Sequence, residues 1–189
     1  MSKLLESTEP SRRNYRVALL VGLIAGAFSA IVKFGWEVPF PPRTPERNAV
    51  NPPQTILEQI GFPETISRAT IHFNGWDLPI SSFIIHFGFA IFFGVLYCVV
   101  AERFPGIKLW QGAAFGIFLH VFFHEFLMPL MQTVPAPWDQ PWQEHFSELF
   151  GHIIWMWSIE IVRRDLRNRF THQPDPEVPL KTPEAVLAR

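Results

Sequence analysis

Val17-Ala18-Leu19-Leu20-Val21-Gly22-Leu23-Ile24-Ala25-Gly26-Ala27-Phe28-Ser29-Ala30-Ile31-Val32 runs without a charge between Arg16 and Lys33. With its flanks, residues 15–37, it meets the roughly 20 residues a helix needs to cross ~30 Å of hydrocarbon at ~1.5 Å per residue. Residues 80–102, 110–131 and 146–162 read the same way, the last being the shortest and most polar. Only helices or a closed barrel satisfy the backbone in lipid, and long unbroken apolar runs select helices. The expected fold class is an all-α integral membrane protein, a bundle of four transmembrane helices. Composition agrees: 48% of residues are hydrophobic, 15% aromatic and only 17% charged, against about a quarter charged in soluble domains. The net charge of −1 makes no electrostatic case for a nucleic-acid partner. The lone Cys98 allows no intrachain disulfide and reads as a packing residue. No Gly-rich phosphate loop or nucleophile elbow is present, so neither cofactor nor catalytic residue is expected.

Basic residues orient the bundle. An N-terminus in the cytoplasm puts Lys3, Arg12, Arg13, Arg16, Arg103, Lys108, Arg163, Arg164, Arg167, Arg169, Lys181 and Arg189 inside, leaving Arg43, Arg47 and Arg68 outside. Residues 1–14, 103–109 and 163–189 are then cytoplasmic, and 38–79 and 132–145 are outer loops. Segment one resembles a signal peptide in its basic start, but its apolar run is too long and an uncleaved helix is expected. The Pro-rich outer loop (Pro39, Pro41, Pro42, Pro45, Pro52, Pro53) excludes a long helix at its start, with a helical turn or two at 55–61. The tail after Arg169, including Gln173-Pro174-Asp175-Pro176-Glu177, reads as mostly disordered.

Small residues form stripes at four-residue spacing. Segment one has Ala18, Gly22, Gly26 and Ala30; segment three has Gly112 and Gly116, continuing into His120 and His124. Such stripes let helix backbones approach closely, within the chain or in a homo-oligomer.

Ionisable groups inside a bilayer are costly and mark functional interiors by default. His86, His124 and His152 fall at about 9–10 Å from the outer ends of their helices. Lys33 lies near that level, Glu148 one turn above His152, His120 one turn below His124, and Glu125 and Glu37 close by. Three readings stand. The layer is a proton-responsive cavity, since histidine titrates in mild acid. Or it is a metal site, with His120 and His124 at the i,i+4 spacing of a chelate and Glu148 and His152 as further ligands, the metal unknown. Or it only satisfies helix contacts. Lys33 can pair with Glu37 four residues on, although snorkelling to the outer interface suits Glu37 slightly better. Glu160 is expected to pair with Arg163 or Arg164.

At several stretches the chain resembles the YagU family, bacterial multi-pass inner-membrane proteins built around a domain of unknown function. These are Lys33-Phe34-Gly35-Trp36-Glu37-Val38-Pro39-Phe40-Pro41-Pro42-Arg43, Tyr97-Cys98-Val99-Val100-Ala101-Glu102, Ile107-Lys108-Leu109-Trp110-Gln111-Gly112, Ser147-Glu148-Leu149-Phe150-Gly151-His152 and the run from Trp157 to Arg169. The resemblance covers about Arg12 to Pro179. It implies an inner-membrane location, a periplasmic outer face and an association with acid resistance. It supplies no chemistry. It favours Lys33, His86, His124, Glu148 and His152 and demotes His120 and Glu125, which fall outside the third-helix motif.

Overall fold

The computed structural model describes residues 5–176, so the expectations for 1–4 and 177–189 lie outside the described residues. Helix α1 spans Tyr15–Glu37, and the Asn14 side chain caps it by accepting from the Val17 N–H at 3.2 Å. Its exposed face carries Leu19, Leu20, Leu23, Ile24, Phe28 and Ile31, an apolar surface suited to lipid. The opposite face is the small-residue stripe. It lies against α4, Ile80–Arg103, with the two backbones in contact. A Cβ on Gly26 would stand 2.6 Å from Ile91 Cα, and one on Gly22 2.6 Å from Val95 Cα. Gly94 returns the fit, its own Cβ position being 2.8 Å from Gly22 O. The stripe is therefore filled from within the chain.

The third helix, α5, is Ala113–Leu130, three residues later at its start than the sequence suggests. Trp110, Gln111 and Gly112 all take positive φ, so the chain turns there. Val121–Leu127 within it is a π turn, in which the Met128 N–H reaches back five residues to Phe123 O. Pro129 explains the widening: it lacks an N–H, and its ring would meet the carbonyl of Glu125 in a regular α-helix. Gly116 seats α5 on the last helix, its Cβ position 2.5 Å from His152 O, and Gly112 meets Met156 O at 3.0 Å.

That last helix, α6, runs Trp142–Thr171, well beyond 146–162 at both ends. At ~1.5 Å per residue its 30 residues reach about 45 Å. Its buried stripe is largely polar: Glu144, Ser147, Glu148, His152, Ser158, Glu160, Arg163 and Arg167, with Trp155, Met156 and Ile159 between. Phe150, Trp157 and Ile161 point outward. Among the described residues three helices, α1, α4 and α5, are long and apolar enough to cross a membrane. α6 is not one of them, so the protein is a helical membrane protein with three apolar helices packed around or beside a polar one.

The outer loop is folded. Helix α2, Pro52–Gln59, starts with a capping box between Asn51 and Gln54; α3 is Glu64–Ser67. Strands β1, Thr70–Phe73, and β2, Trp76–Pro79, form an antiparallel hairpin, which corrects the all-α expectation. Its turn is Asn74-Gly75, both at positive φ, the pair that favours a two-residue hairpin turn. Ser81 and Ser82 tie the loop to α4 through Ser67 O (2.5 Å) and Asn51 Oδ1 (2.7 Å).

The end that holds Arg163 and Arg167, expected from the basic residues to be the inner one, is closed by ion pairs. Glu102 and Arg167 pair at 2.5 Å, each about 1% exposed. Arg163 binds Glu160 at 2.6 Å, as expected, and Tyr97 donates to Glu160 at 3.0 Å. Asp175 is held by Arg163 (2.5 Å) and Lys108 (2.7 Å), so this part of the tail is ordered rather than disordered. Burial works to raise the Asp175 pKa, but Arg163 and Lys108 hold it below the ordinary carboxylate value.

Gly26→Ala drives a methyl group into the Ile91 backbone, which no rotamer change relieves. It should cost about 1–3 kcal/mol. Gly35→Ala, with nothing within 4 Å of its Cβ position, should be neutral or slightly stabilising. Thermal unfolding in detergent compares the two.

Candidate functional site

Glu148 is the centre. It sits on the buried stripe of α6 and draws partners from four segments. Lys33 of α1 approaches it at 3.3 Å and Arg43 of the outer loop at 3.2 Å. His124 of α5 lies at 3.5 Å, and His152, one turn along α6, at 3.7 Å. Lys33 is also hydrogen-bonded to Glu37, so both ends of that pair turn inward rather than snorkel. The π turn shapes the α5 side. The rings of His120, His124 and His152 pack together, with centroids 5.7 Å (120–124), 4.8 Å (124–152) and 5.7 Å (120–152) apart. His152 Nδ1 donates to Glu148 O at 2.7 Å. That bond fixes its ring and leaves Nε2 facing away from its own helix.

Glu125 and His120, demoted on resemblance, belong to the same network. His120 Nε2 lies 3.1 Å from Glu125 Oε1. Residues five apart would sit about 140° apart around a regular helix, but the i→i+5 geometry of a π turn brings them together. The same Glu125 oxygen receives His145 Nδ1 at 2.8 Å, while His145 Nε2 donates to Pro137 O at 2.9 Å. Both nitrogens of His145 thus face acceptors, so this pair holds a proton. Burial works against a charged His145 ring. Its bonds to Glu125 and Pro137, with the charges of Glu125 and Glu144, still raise its pKa above 6.5. A chain of titratable groups runs from His145 at the outer end through Glu125 and His120 to His124, His152 and Glu148.

His86 stands apart from Glu148. It stacks on Phe34 at 3.9 Å and donates to Ala30 O at 3.2 Å. It nevertheless borders the same cavity of about 630 Å³, which lies between α1, α4, α5, α6 and the outer loop. Glu160 lies in the inner ion-pair cluster, away from this site. The i,i+4 pair of His120 and His124 is not the metal-like set. The three groups that could share an ion are His124, Glu148 and His152, with ligand atoms within 4.8 Å of one another.

Arg43, Arg47, His145 and Trp155 were not singled out by sequence reasoning. Arg47 pairs with the buried Glu144 at 3.1 Å. The outer-loop arginines had been counted only as topology exceptions. A signal existed: a basic residue after Pro41-Pro42, on the side that ought to lack basic residues, needs a carboxylate somewhere. Trp155 is 2% exposed, and its indole N–H has no acceptor among the described residues.

Comparison with known proteins agrees with the architecture. The family model described as "Protein of unknown function (DUF1440)" matches residues 27–161. "Inner membrane protein YagU" of Escherichia coli (strain K12) is 45% identical over 200 residues, covering 94% of this chain and 97% of that protein. No solved structure matches. The family match runs from the second half of α1 through most of α6, including His86, His124, Glu148 and His152, and the chain belongs to the DUF1440 family, whose function is unknown.

Proposed function

We propose that this is an inner-membrane protein contributing to acid resistance, whose buried histidine and glutamate cluster senses or conducts protons arriving from the periplasmic face. The observation that carries this reading is the charge balance around Glu148. Lys33 and Arg43 bring two positive charges, and Glu37 and Glu148 two negative ones. With neutral histidines that inner group sums to zero. A proton added to His124 or His152 is uncompensated and lies beside two fixed cations, where little water screens it. Acid therefore pushes the helices carrying these groups apart or opens a water path between them. Glu125 has only histidine partners among the described residues, which makes the His145–Glu125–His120 chain the entry route.

The reading needs α6 to cross the membrane with the others. Two features support a fourth span. Its polar stripe faces α1 and α5, while Phe150, Trp157 and Ile161 face outward. The excess of basic residues puts both termini in the cytoplasm. A membrane-impermeant maleimide should label Gln140→Cys in cells with a permeabilised outer membrane. Arg169→Cys should be labelled only after the inner membrane is opened. Equal labelling of both would refute the fourth span.

The second reading is a metal centre formed by His124, Glu148 and His152, favoured by the convergence of their ligand atoms. Lys33 and Arg43 already neutralise Glu148, which weighs against a divalent ion there. Stoichiometric zinc in purified protein, lost in His124→Ala, would favour it.

Liposomes containing a pH-sensitive dye test the leading reading. An acid step on the outer face should produce flux or a pH-dependent fluorescence change in the wild type. Glu125→Gln should slow it at least tenfold and His152→Ala abolish it. No response in the wild type would sink the proposal.

The raised His145 pKa sets a further expectation. Its link to Glu125 contributes stability that is complete below the unfolded value near 6.5 and is lost as pH rises through the folded value. The gap in melting temperature between wild type and His145→Ala should therefore be widest near pH 6 and narrow as pH rises above 6.5.

A further inference from the structure

We propose that the cavity beside Glu148 binds an anionic amphiphile, a single carboxylate or phosphate head on a hydrocarbon tail. The inference deepens the proton reading and rests on it, because the same cluster would seat the head.

The cavity holds about 630 Å³, within the range of small-molecule sites. Its walls are of two kinds. Ile56, Phe83, Phe89, Phe123, Leu127 and Met131 make an apolar side. Such a wall accepts hydrocarbon and gives nothing to a fully polar ion. The other end is rich in donors. Lys33 offers three N–H groups, and its acceptors are Glu37 and Glu148. Arg43 offers five, and among the described residues its guanidinium meets Glu148 alone. Trp155 borders the cavity with an indole N–H that has no partner among the described residues, although it is only 2% exposed. A donor surplus at one end and an apolar wall at the other fit an oxyanion on a hydrocarbon tail. A cationic head would meet Lys33 and Arg43, and a neutral head would accept fewer of their unmatched N–H groups than an oxyanion does.

The head would also couple to protons. Facing it are Lys33 and Glu37 from α1, Arg43 from the outer loop, His86 from α4, His124 from α5, and Glu148 and His152 from α6, with His120 and Glu125 behind. Lys33, Arg43, Glu37 and Glu148 already balance, so an added negative charge favours one extra proton on a neighbouring histidine. Anion and proton then bind together. Where one proton accompanies the anion, affinity should rise about tenfold per unit fall in pH.

Full-length protein in nanodiscs, titrated calorimetrically with eight-carbon probes, tests this. Octanoate and octyl phosphate distinguish the two heads. Octanesulfonate keeps its charge across pH 5.5–7.5 and so isolates the protein's own proton. Octanol and octyltrimethylammonium are the neutral and cationic controls. Saturable one-to-one binding of at least one anionic probe is expected, tightening at least tenfold from pH 7.5 to 5.5. Arg43→Gln should weaken it tenfold or more. Trp155→Phe, which keeps the ring packing, should weaken it severalfold. No saturable anion binding, or equal binding of octanol, would overturn the amphiphile proposal, while dye-measured flux would still decide the proton reading. Anion binding without pH dependence would keep the ligand class and overturn its coupling to protons.

Discussion

A buried charged side chain must find a partner or leave, and α6 carries five of them, with His152, on one buried stripe. The rest of the architecture answers that demand. α1 and α5 cover the stripe, and each does so with groups chosen for it: Lys33 from one, His124 from the other. Close approach makes the cover effective. Gly116 brings α5 onto the α6 backbone, and the Gly22, Gly26 and Gly94 contacts let α4 brace α1 from behind. Without those glycines the helices would stand apart, and the charges of α6 would face lipid.

The two ends of α6 solve the same problem with different chemistry. At the inner end Glu102, Glu160 and Asp175 are matched by Arg167, Arg163 and Lys108. Apart from Lys108, the cations there are guanidinium groups, which hold their charge at any physiological pH and form forked contacts with carboxylates. The outer end also has two fixed cations, but surrounds them with histidines, whose charge changes in mild acid. The cavity lies at the histidine-rich end, where the proposed proton and ligand functions share one place.

Much of this was legible in the residues themselves. The charge-free run from Val17 to Val32 announces a membrane helix, and four-residue glycine spacing announces a close crossing. Asn74-Gly75 announced a hairpin too, but the Pro-rich loop around it masked the signal. The His120–Glu125 contact was hidden for a geometric reason: spacing arguments assume 3.6 residues per turn, and Pro129 imposes a wider one. The Arg43–Glu148 pair joins residues 105 positions apart, a separation at which periodicity carries no information. Asp175 read as disordered because its neighbours are prolines. Its partners Arg163 and Lys108 belong to other segments and outweigh local composition.

The sequence by itself determined that the chain is a helical membrane protein, because hydropathy depends only on residue order. Tertiary structure decided which titratable groups meet. It set His86 against α1, gathered His120, His124 and His152 around Glu148, and folded Arg43 over them. It also packed α6, the shortest and most polar of the four spans expected from the sequence, against α1 and α5 along its polar stripe. The physical reason is that a buried charge is stabilised by groups within a few ångströms, and in this chain those groups come from segments that only packing brings together.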